Sequence, residues 1–172
     1  MSTAQSKNQM PAIGSNEYIE IEGISVPAKI DTGADSSSIW VSDVEVSPDG
    51  ILSFALFEPG YEFYTGKKIT RRNFKAAIIR SSNGAEQVRY RTNFKIKLGG
   101  YELDTSFTLA DRSKNMFPVL IGRKTITGKF LVNVEKTSVK HSQPHTHTKH
   151  LNVELNKDPY EFHKKYIRKE KK

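Results

Sequence analysis

Ala28-Lys-Ile-Asp-Thr-Gly-Ala-Asp-Ser-Ser-Ser-Ile-Trp-Val41 carries an apolar strand straight into a tight turn, with a single acidic residue, Asp31, at the junction. Val26, Ala28 and Ile30 alternate with Pro27 and Lys29, the period of two that marks a half-buried strand. The chain therefore reaches Asp31 inside or at the edge of a core, where a carboxylate is not an ordinary surface charge. Thr32 offers a hydroxyl that can lock the turn, and Gly33 lets a backbone or ligand approach where a Cβ would stand. Ser36, Ser37 and Ser38 follow before the chain turns apolar again at Ile39. We read this stretch as a catalytic loop. An aspartate that merely caps a turn would give the same tripeptide, so the rest of the chain has to decide.

Outward from the loop, the signals are those of strands. Tyr18, Ile19 and Ile21 lead through Glu22-Gly23 into Ile24 to Ile30, a hairpin that delivers Asp31. Residues 41–57 hold a second strand pair around Pro48-Asp49-Gly50, and residues 58–75 read as a long loop or inserted excursion. Lys75 to Arg91 has strand-like arms on either side of Ser82-Asn83-Gly84, and Asn-Gly is a strong hairpin signal because both residues tolerate positive φ. Phe94, Ile96 and Leu98 alternate with Lys95 and Lys97, Gly99-Gly100 turns the chain, and Leu103, Phe107 and Leu109 continue beyond it. Met116 to Ile121 is an almost unbroken apolar run, as expected of a strand covered on both faces, followed by a single helical turn from Lys124 to Gly128 and a last strand from Phe130 to Val134. No helical period of any length interrupts this stretch. The body is all-β.

The chain has 172 residues, of which 36% are hydrophobic and 27% charged, which suits one domain with a real core plus an appendage. There are no cysteines, so disulfides and thiolate metal sites are excluded. The first residues have no apolar h-region and no apolar run reaches membrane-spanning length, so a cytoplasmic protein without membrane partners is expected. Domain bounds are placed at 1–15 for a polar, disordered arm, 16–135 for the body and 136–172 for a basic, histidine-containing tail. The net charge of +8 is uneven: residues 135–172 hold ten lysines and arginines against five acidic residues, and between Glu62 and Lys97 ten cations face only Glu62 and Glu86. Such a basic middle attracts an acidic substrate or nucleic acid at long range. Nucleic acid ranks last, because the cations lack a regular interleaving of aromatics.

In the tail, Asp158-Pro159-Tyr160-Glu161 has the grammar of a helix start, with Asp at the cap, Pro at the first position and Glu completing a capping box, and a short basic helix to about Lys169 follows. His141, His145, His147 and His150 are spaced so that imidazoles could share a zinc or nickel ion. With no carboxylate evident to orient them, they read as a solvated linker. His163 is read as facing water. No metal ligand and no cofactor is assigned.

About 90 residues after the loop comes Val119-Leu-Ile-Gly-Arg123. Together, Ile30-Asp31-Thr32-Gly33-Ala34 and Leu120-Ile121-Gly122-Arg123 resemble the paired motifs of the retropepsin-like aspartic peptidases. The chain is similar in particular to the bacterial family labelled "ATP-dependent zinc protease", through A-K-I-D-T-G-A, S-S-N-G, the Leu98-Gly99-Gly100 turn and F-P-V-L-I-G-R with the following G-K-F-L-V. The resemblance covers roughly residues 18–134. It implies a closed β-barrel with a flap hairpin and one short helix after Gly122-Arg123. Asp31 would be the catalytic aspartate, with Thr32, Gly33, Gly122, Asp35 and Arg123 forming and supporting its loop, and Thr32 bonding across to its symmetry mate. Gly33, Ala34, Asp35 and the flap residues Asn83 and Gly84 would hold substrate, and Asp35 would pair with Arg123. Zinc-labelled relatives tend to have a basic residue at the position of Asp35 and a histidine at that of Trp40.

Aspartic peptidases need two carboxylates that share a proton, and this chain has one such loop. The resemblance therefore implies a homodimer in which each subunit donates Asp31 to an endopeptidase site on the two-fold axis, acting on a peptide or protein substrate with acidic flanks. ATP-grasp ligases that add glutamate-like tags accompany relatives of this family. A non-catalytic dimeric peptide-binding module of the same fold and a metal-dependent peptidase are the alternatives.

Overall fold

The computed structural model of the chain describes residues 9–81, 83–139 and 146–168, with backbone alone for 146–148. It divides into two compact units, Met1–Val139 and Lys140–Lys172.

The first unit is a barrel. β1 (Ala12–Ile13) precedes β2 (Asn16–Ile21), which turns at Glu22-Gly23 into β3 (Ile24–Asp31). Glu22 and Gly23 have φ of 48° and 81°, the two consecutive positive angles of a primed two-residue hairpin turn. β4 (Ser37–Val46) and β5 (Leu52–Leu56) form the pair expected around Pro48 to Gly50. β6 (Lys68–Arg71) then pairs with β5, so the segment expected to be loop throughout ends in an edge strand. β7 (Lys75–Arg80) and β8 (Glu86–Leu98) are the Asn-Gly hairpin, and β9 (Tyr101–Ala110) returns from Gly99-Gly100. β10 (Val119–Gly122) leads directly into α1 (Arg123–Ile126), and β11 (Leu131–Val132) pairs in parallel with β1.

Six strands close on themselves in the order β10, β3, β2, β8, β9, β4, because β10 pairs in parallel with β3 and antiparallel with β4. Closure removes the sheet edges that strands otherwise leave exposed. The fold is the expected all-β barrel. Its interior is filled by the inward members of each alternating strand, among them Ile19, Val26, Phe94, Leu98, Phe107 and Ile121, all 3% exposed or less.

Five local expectations are corrected. Met116 is half exposed and the apolar run becomes strand only at Val119, since β3 and β4 flank it from there on. The helical turn starts at Arg123, and the last strand spans only Leu131–Val132. Polarity suggested an arm to residue 15, but Ile13 is buried in the core cluster; residues 1–8 lie outside the described ones. Chain also stays on the barrel beyond 135, where Val139 is buried and its N–H donates to Asn16 Oδ1 at 3.0 Å.

The second unit contains α2 (Thr146–Lys157) and α3 (Pro159–Tyr166). Asp158 caps α3 as its sequence demands, accepting from the N–H groups of Tyr160 and Glu161 at 3.1 and 3.0 Å. α2 replaces the expected linker. Its Glu154 accepts from Lys165 Nζ and from the Tyr166 hydroxyl, both at 2.9 Å, so the acidic residue of one helix holds the end of the other.

Candidate active site

The parallel bridge between β3 and β10 builds the site. Val119 stands opposite Ala28, Ile121 opposite Ile30, and Gly122 opposite Asp31. The two motifs separated by some 90 residues of sequence are thus adjacent strand ends. Asp31 is partly buried, and its Oδ1 accepts from the Gly33 N–H at 3.0 Å, while Lys29 Nζ lies 3.8 Å from Oδ2. A Cβ at Gly33 would stand 3.3 Å from Asp31 Oδ1, a tight contact that the carboxylate would have to yield to. Thr32 and Gly33 are exposed, and the Thr32 hydroxyl makes no hydrogen bond to any described residue.

Gly122 locks the loop from behind. A Cβ at this position would meet the Ser36 carbonyl carbon at 2.5 Å and its oxygen at 2.6 Å, so only glycine lets the strand end pass the loop. The Gly122 N–H donates to the buried Ser37 hydroxyl at 3.0 Å, and Ser37 Oγ shares a further bond of 2.7 Å with Thr125 on α1. Arg123 N–H donates to the Ala34 carbonyl at 2.8 Å and Lys124 N–H to that of Asp35 at 3.0 Å. Asp35 and Arg123 form an exposed ion pair. The hydrogen bond from Arg123, and then its charge, hold the Asp35 carboxyl below the usual carboxylate range.

Arg112 was not singled out from the sequence, where it stands in a polar turn. Its Nε donates to the Phe117 carbonyl at 3.0 Å and its Nη1 to Ser38 Oγ at 3.1 Å. Burial, and then the nearby charge of Arg89 on the hairpin, lower its pKa, while the Asp31 carboxylate opposes that shift. Arg112 remains a cation. Asp31 therefore sits within the field of a partly buried arginine whose neighbour is a second arginine.

The hairpin extends beyond the barrel: below Arg91, β8 pairs only with β7. Its tip is closed by Gly84 N–H to the Ser81 carbonyl at 2.9 Å and by Ala85 N–H to Asn83 Oδ1 at 3.1 Å. Gly84 has φ of 83°. Ser82 lies outside the described residues. Ile78 and Val88 face each other across the two strands, both about two-thirds exposed.

Residues 12–143 match the sequence profile of the RimB-like family, described as "Retropepsin-like aspartic endopeptidase RimB". The chain belongs to this family. Its relatives include proteins named "Probable alpha-L-glutamate ligase" from Shewanella halifaxensis and Shewanella pealeana, each 30% identical over 128 residues, which is 70% of this chain and 28% of the relative. The chain thus spans less than a third of the length of those proteins. A Legionella pneumophila protein of unknown function superposes with a TM-score of 0.54 at 20% identity, over 74% of this chain and 95% of that one; this likeness concerns the fold.

Trp40, at the position where zinc-labelled relatives tend to have histidine, is a core residue here. It is 6% exposed and packs on Tyr61 and Phe57 at ring distances of 4.8 and 6.1 Å. Of the tail histidines, His141 and His145 and the side chain of His147 are outside the described residues. His150 Nε2 lies 2.6 Å from Glu154 Oε1, a carboxylate partner that spacing alone did not reveal. His163 is exposed. Among the described residues, no group of three potential ligands could hold a metal ion, and no described helix is long and apolar enough to cross a membrane.

Proposed function

We propose that this chain is an aspartic endopeptidase that works as a homodimer, with Asp31 of two subunits forming the catalytic dyad, and that its substrates are glutamate-rich peptide chains. The observation that carries the reading is the registry of Asp31 with Gly122: one partly buried carboxylate is held at a strand end, while the other carboxylate of the loop, Asp35, is engaged by Arg123. Two like charges about 3 Å apart cannot both ionise, so the pair shares one proton. The ionised aspartate takes a proton from water as the oxygen attacks the scissile carbonyl, and the protonated aspartate gives its proton to the carbonyl oxygen. The tetrahedral diol then collapses as a proton returns to the leaving nitrogen. No covalent acyl intermediate forms.

The exposed Thr32 hydroxyl supports the dimer, because it lies beside Asp31 with a free valence for the partner's loop. Substrate lies as an extended strand between Gly33, Ala34 and Asp35 on one side and Asn83 and Gly84 of the hairpin on the other, exchanging backbone hydrogen bonds. Arg112 and Arg89 favour acidic side chains, and the name of the Shewanella relatives fits a glutamate-bearing substrate. The test is cleavage of a glutamate-rich peptide by the wild type and by Asp31→Asn. The variant is expected to keep its fold and lose a factor of at least about a thousand in kcat; undiminished cleavage would refute the assignment.

A further inference from the structure

We propose that the outer wall of the barrel carries a second binding site, a cationic trough that holds the acidic flank of a polypeptide outside the Asp31 site; the inference rests on the reading of the chain as a peptidase of acidic chains. Two adjoining cavities of about 300 and 650 Å³ share Arg91, Asn93 and Ser106 as lining residues. The alternation of β8 shapes their floor, since Phe94 is buried in the core and Arg91 and Asn93 are left on the outer face, with the buried Thr92 lining one cavity and donating to the Asn73 carbonyl at 3.0 Å. The segment before β7 supplies Arg72 and Lys75 to one end, and the segment around α1 supplies Lys124 and Lys129 to the other.

Five cations of this trough face one carboxylate. Elsewhere on the barrel Lys67 and Arg71 are matched with Glu22, Arg80 with Glu86 and Arg123 with Asp35, while Lys68, Lys95 and Lys97, like the trough cations, form no ion pair with a described residue; what sets the trough apart is that its unpaired cations line shared cavities. None of Arg72, Lys75, Arg91, Lys124 and Lys129 forms an ion pair with a described residue. One carboxylate, Asp104, lines the trough, where its cross-strand neighbour is Lys95. Two of the five cations are held in place by neutral acceptors, Arg91 by Ser36 Oγ at 3.2 Å and Lys129 by the Thr125 carbonyl at 3.3 Å. Each retains further N–H donors for a ligand. Asn93 and Ser106 add neutral donors between the charges.

A polyanion is the ligand that such a trough fits, and its position selects a polypeptide over a nucleic acid. The trough begins at Ser36, the residue after Asp35 of the catalytic loop, so one extended chain can occupy both sites. Its walls offer one aromatic side chain, Phe74, whose ring is engaged edge-on by Tyr90 at 5.4 Å, which leaves no platform for stacked bases.

Fluorescence anisotropy on the full chain carrying Asp31→Asn tests the trough without turnover, using a labelled decaglutamate, a decaglutamine and a deca-thymidylate. Decaglutamate is expected to bind at least about tenfold more tightly than either control, and the triple reversal Arg72→Glu, Lys75→Glu, Lys129→Glu to weaken it at least about tenfold. Lys75→Glu alone, a single exposed change, is expected to weaken it about threefold. Equal affinity for decaglutamine, preference for deca-thymidylate, or unchanged decaglutamate binding by the single and triple variants would overturn the proposal. Failure of the peptidase reading appears differently, as decaglutamate binding that responds to these reversals while the wild type cleaves nothing. Failure of the trough alone appears as wild-type cleavage whose KM the reversals do not move.

Discussion

The loop from Asp31 to Ser37 and the hairpin from Ala76 to Tyr90 are both turns of a β-barrel, yet they are held in opposite ways. The loop is fastened from behind by a strand, a helix and a glycine that admits no side chain, with backbone bonds from Arg123 and Lys124 and a buried Ser37–Thr125 contact. The hairpin is anchored at its base, where Tyr90 packs on Phe74, and beyond that its two strands pair only with each other, with the Ile78–Val88 pair facing outward. Chemistry that depends on two carboxylates at hydrogen-bonding distance needs the first kind of support. A segment that admits a polymer and then covers it needs the second, a local structure that opens without unfolding the barrel.

Substitutions at two glycines should separate the regions most clearly. Gly122→Ala forces a Cβ into the Ser36 backbone and is expected to cost about 3 kcal/mol in denaturant unfolding, with loss of activity; a stable, active variant would show the loop is not wedged. Ser37→Ala leaves the buried Gly122 N–H without its partner and removes one of the two partners of the Thr125 hydroxyl, which keeps Thr105, and should cost about 2 kcal/mol. At Gly84 the added methyl meets open space, so Gly84→Ala carries only the strain of its positive φ, about 1 kcal/mol confined to the hairpin, read as faster amide exchange in residues 76–90 with exchange in β3 and β10 unchanged. Ile78→Ser is expected to shift global stability by less than about 0.5 kcal/mol and to raise KM, which an equal loss in kcat would contradict.

The smallest effect concerns Asp35. Arg123 lowers its pKa in the folded chain, so the pair contributes stability above the unfolded carboxyl's value of about 4 and loses it as pH falls through the lower folded value. The thermal midpoints of wild type and Asp35→Asn should therefore differ slightly at neutral pH and converge in acid. Exposure of both side chains keeps the difference small.

The features legible in the sequence are those that a residue type imposes on its own neighbourhood. Gly122, the Glu22-Gly23 and Asn83-Gly84 turns, and the alternation through Phe94, Ile96 and Leu98 each specify local backbone or burial, and with them the strands and the Asp31 loop could be placed. Arg112 escaped because one of its partners, Ser38, lies 74 residues away in sequence and is reached across the barrel rather than along the chain. Ile13 lies in a short segment with no strand period of its own and is buried because β11 pairs with β1 and the Gly99 turn approaches its side chain. Helix α2 is mostly polar, with only Leu151, Val153 and Leu155 apolar, and two of the groups that hold its Glu154 lie 11 and 12 residues away. The cationic trough likewise follows from the pairing of β8 with β9 and the placement of α1, not from the count of cations.

The central claim is that two copies of Asp31 make one site. Wild type and Asp31→Asn can be mixed in known proportions, unfolded and refolded together, and assayed on a glutamate-rich peptide at constant total protein. If each site requires an aspartate from both subunits, mixed dimers are inactive and activity falls as the square of the wild-type fraction. A fall in direct proportion to that fraction would mean that each chain acts alone, and would contradict the account.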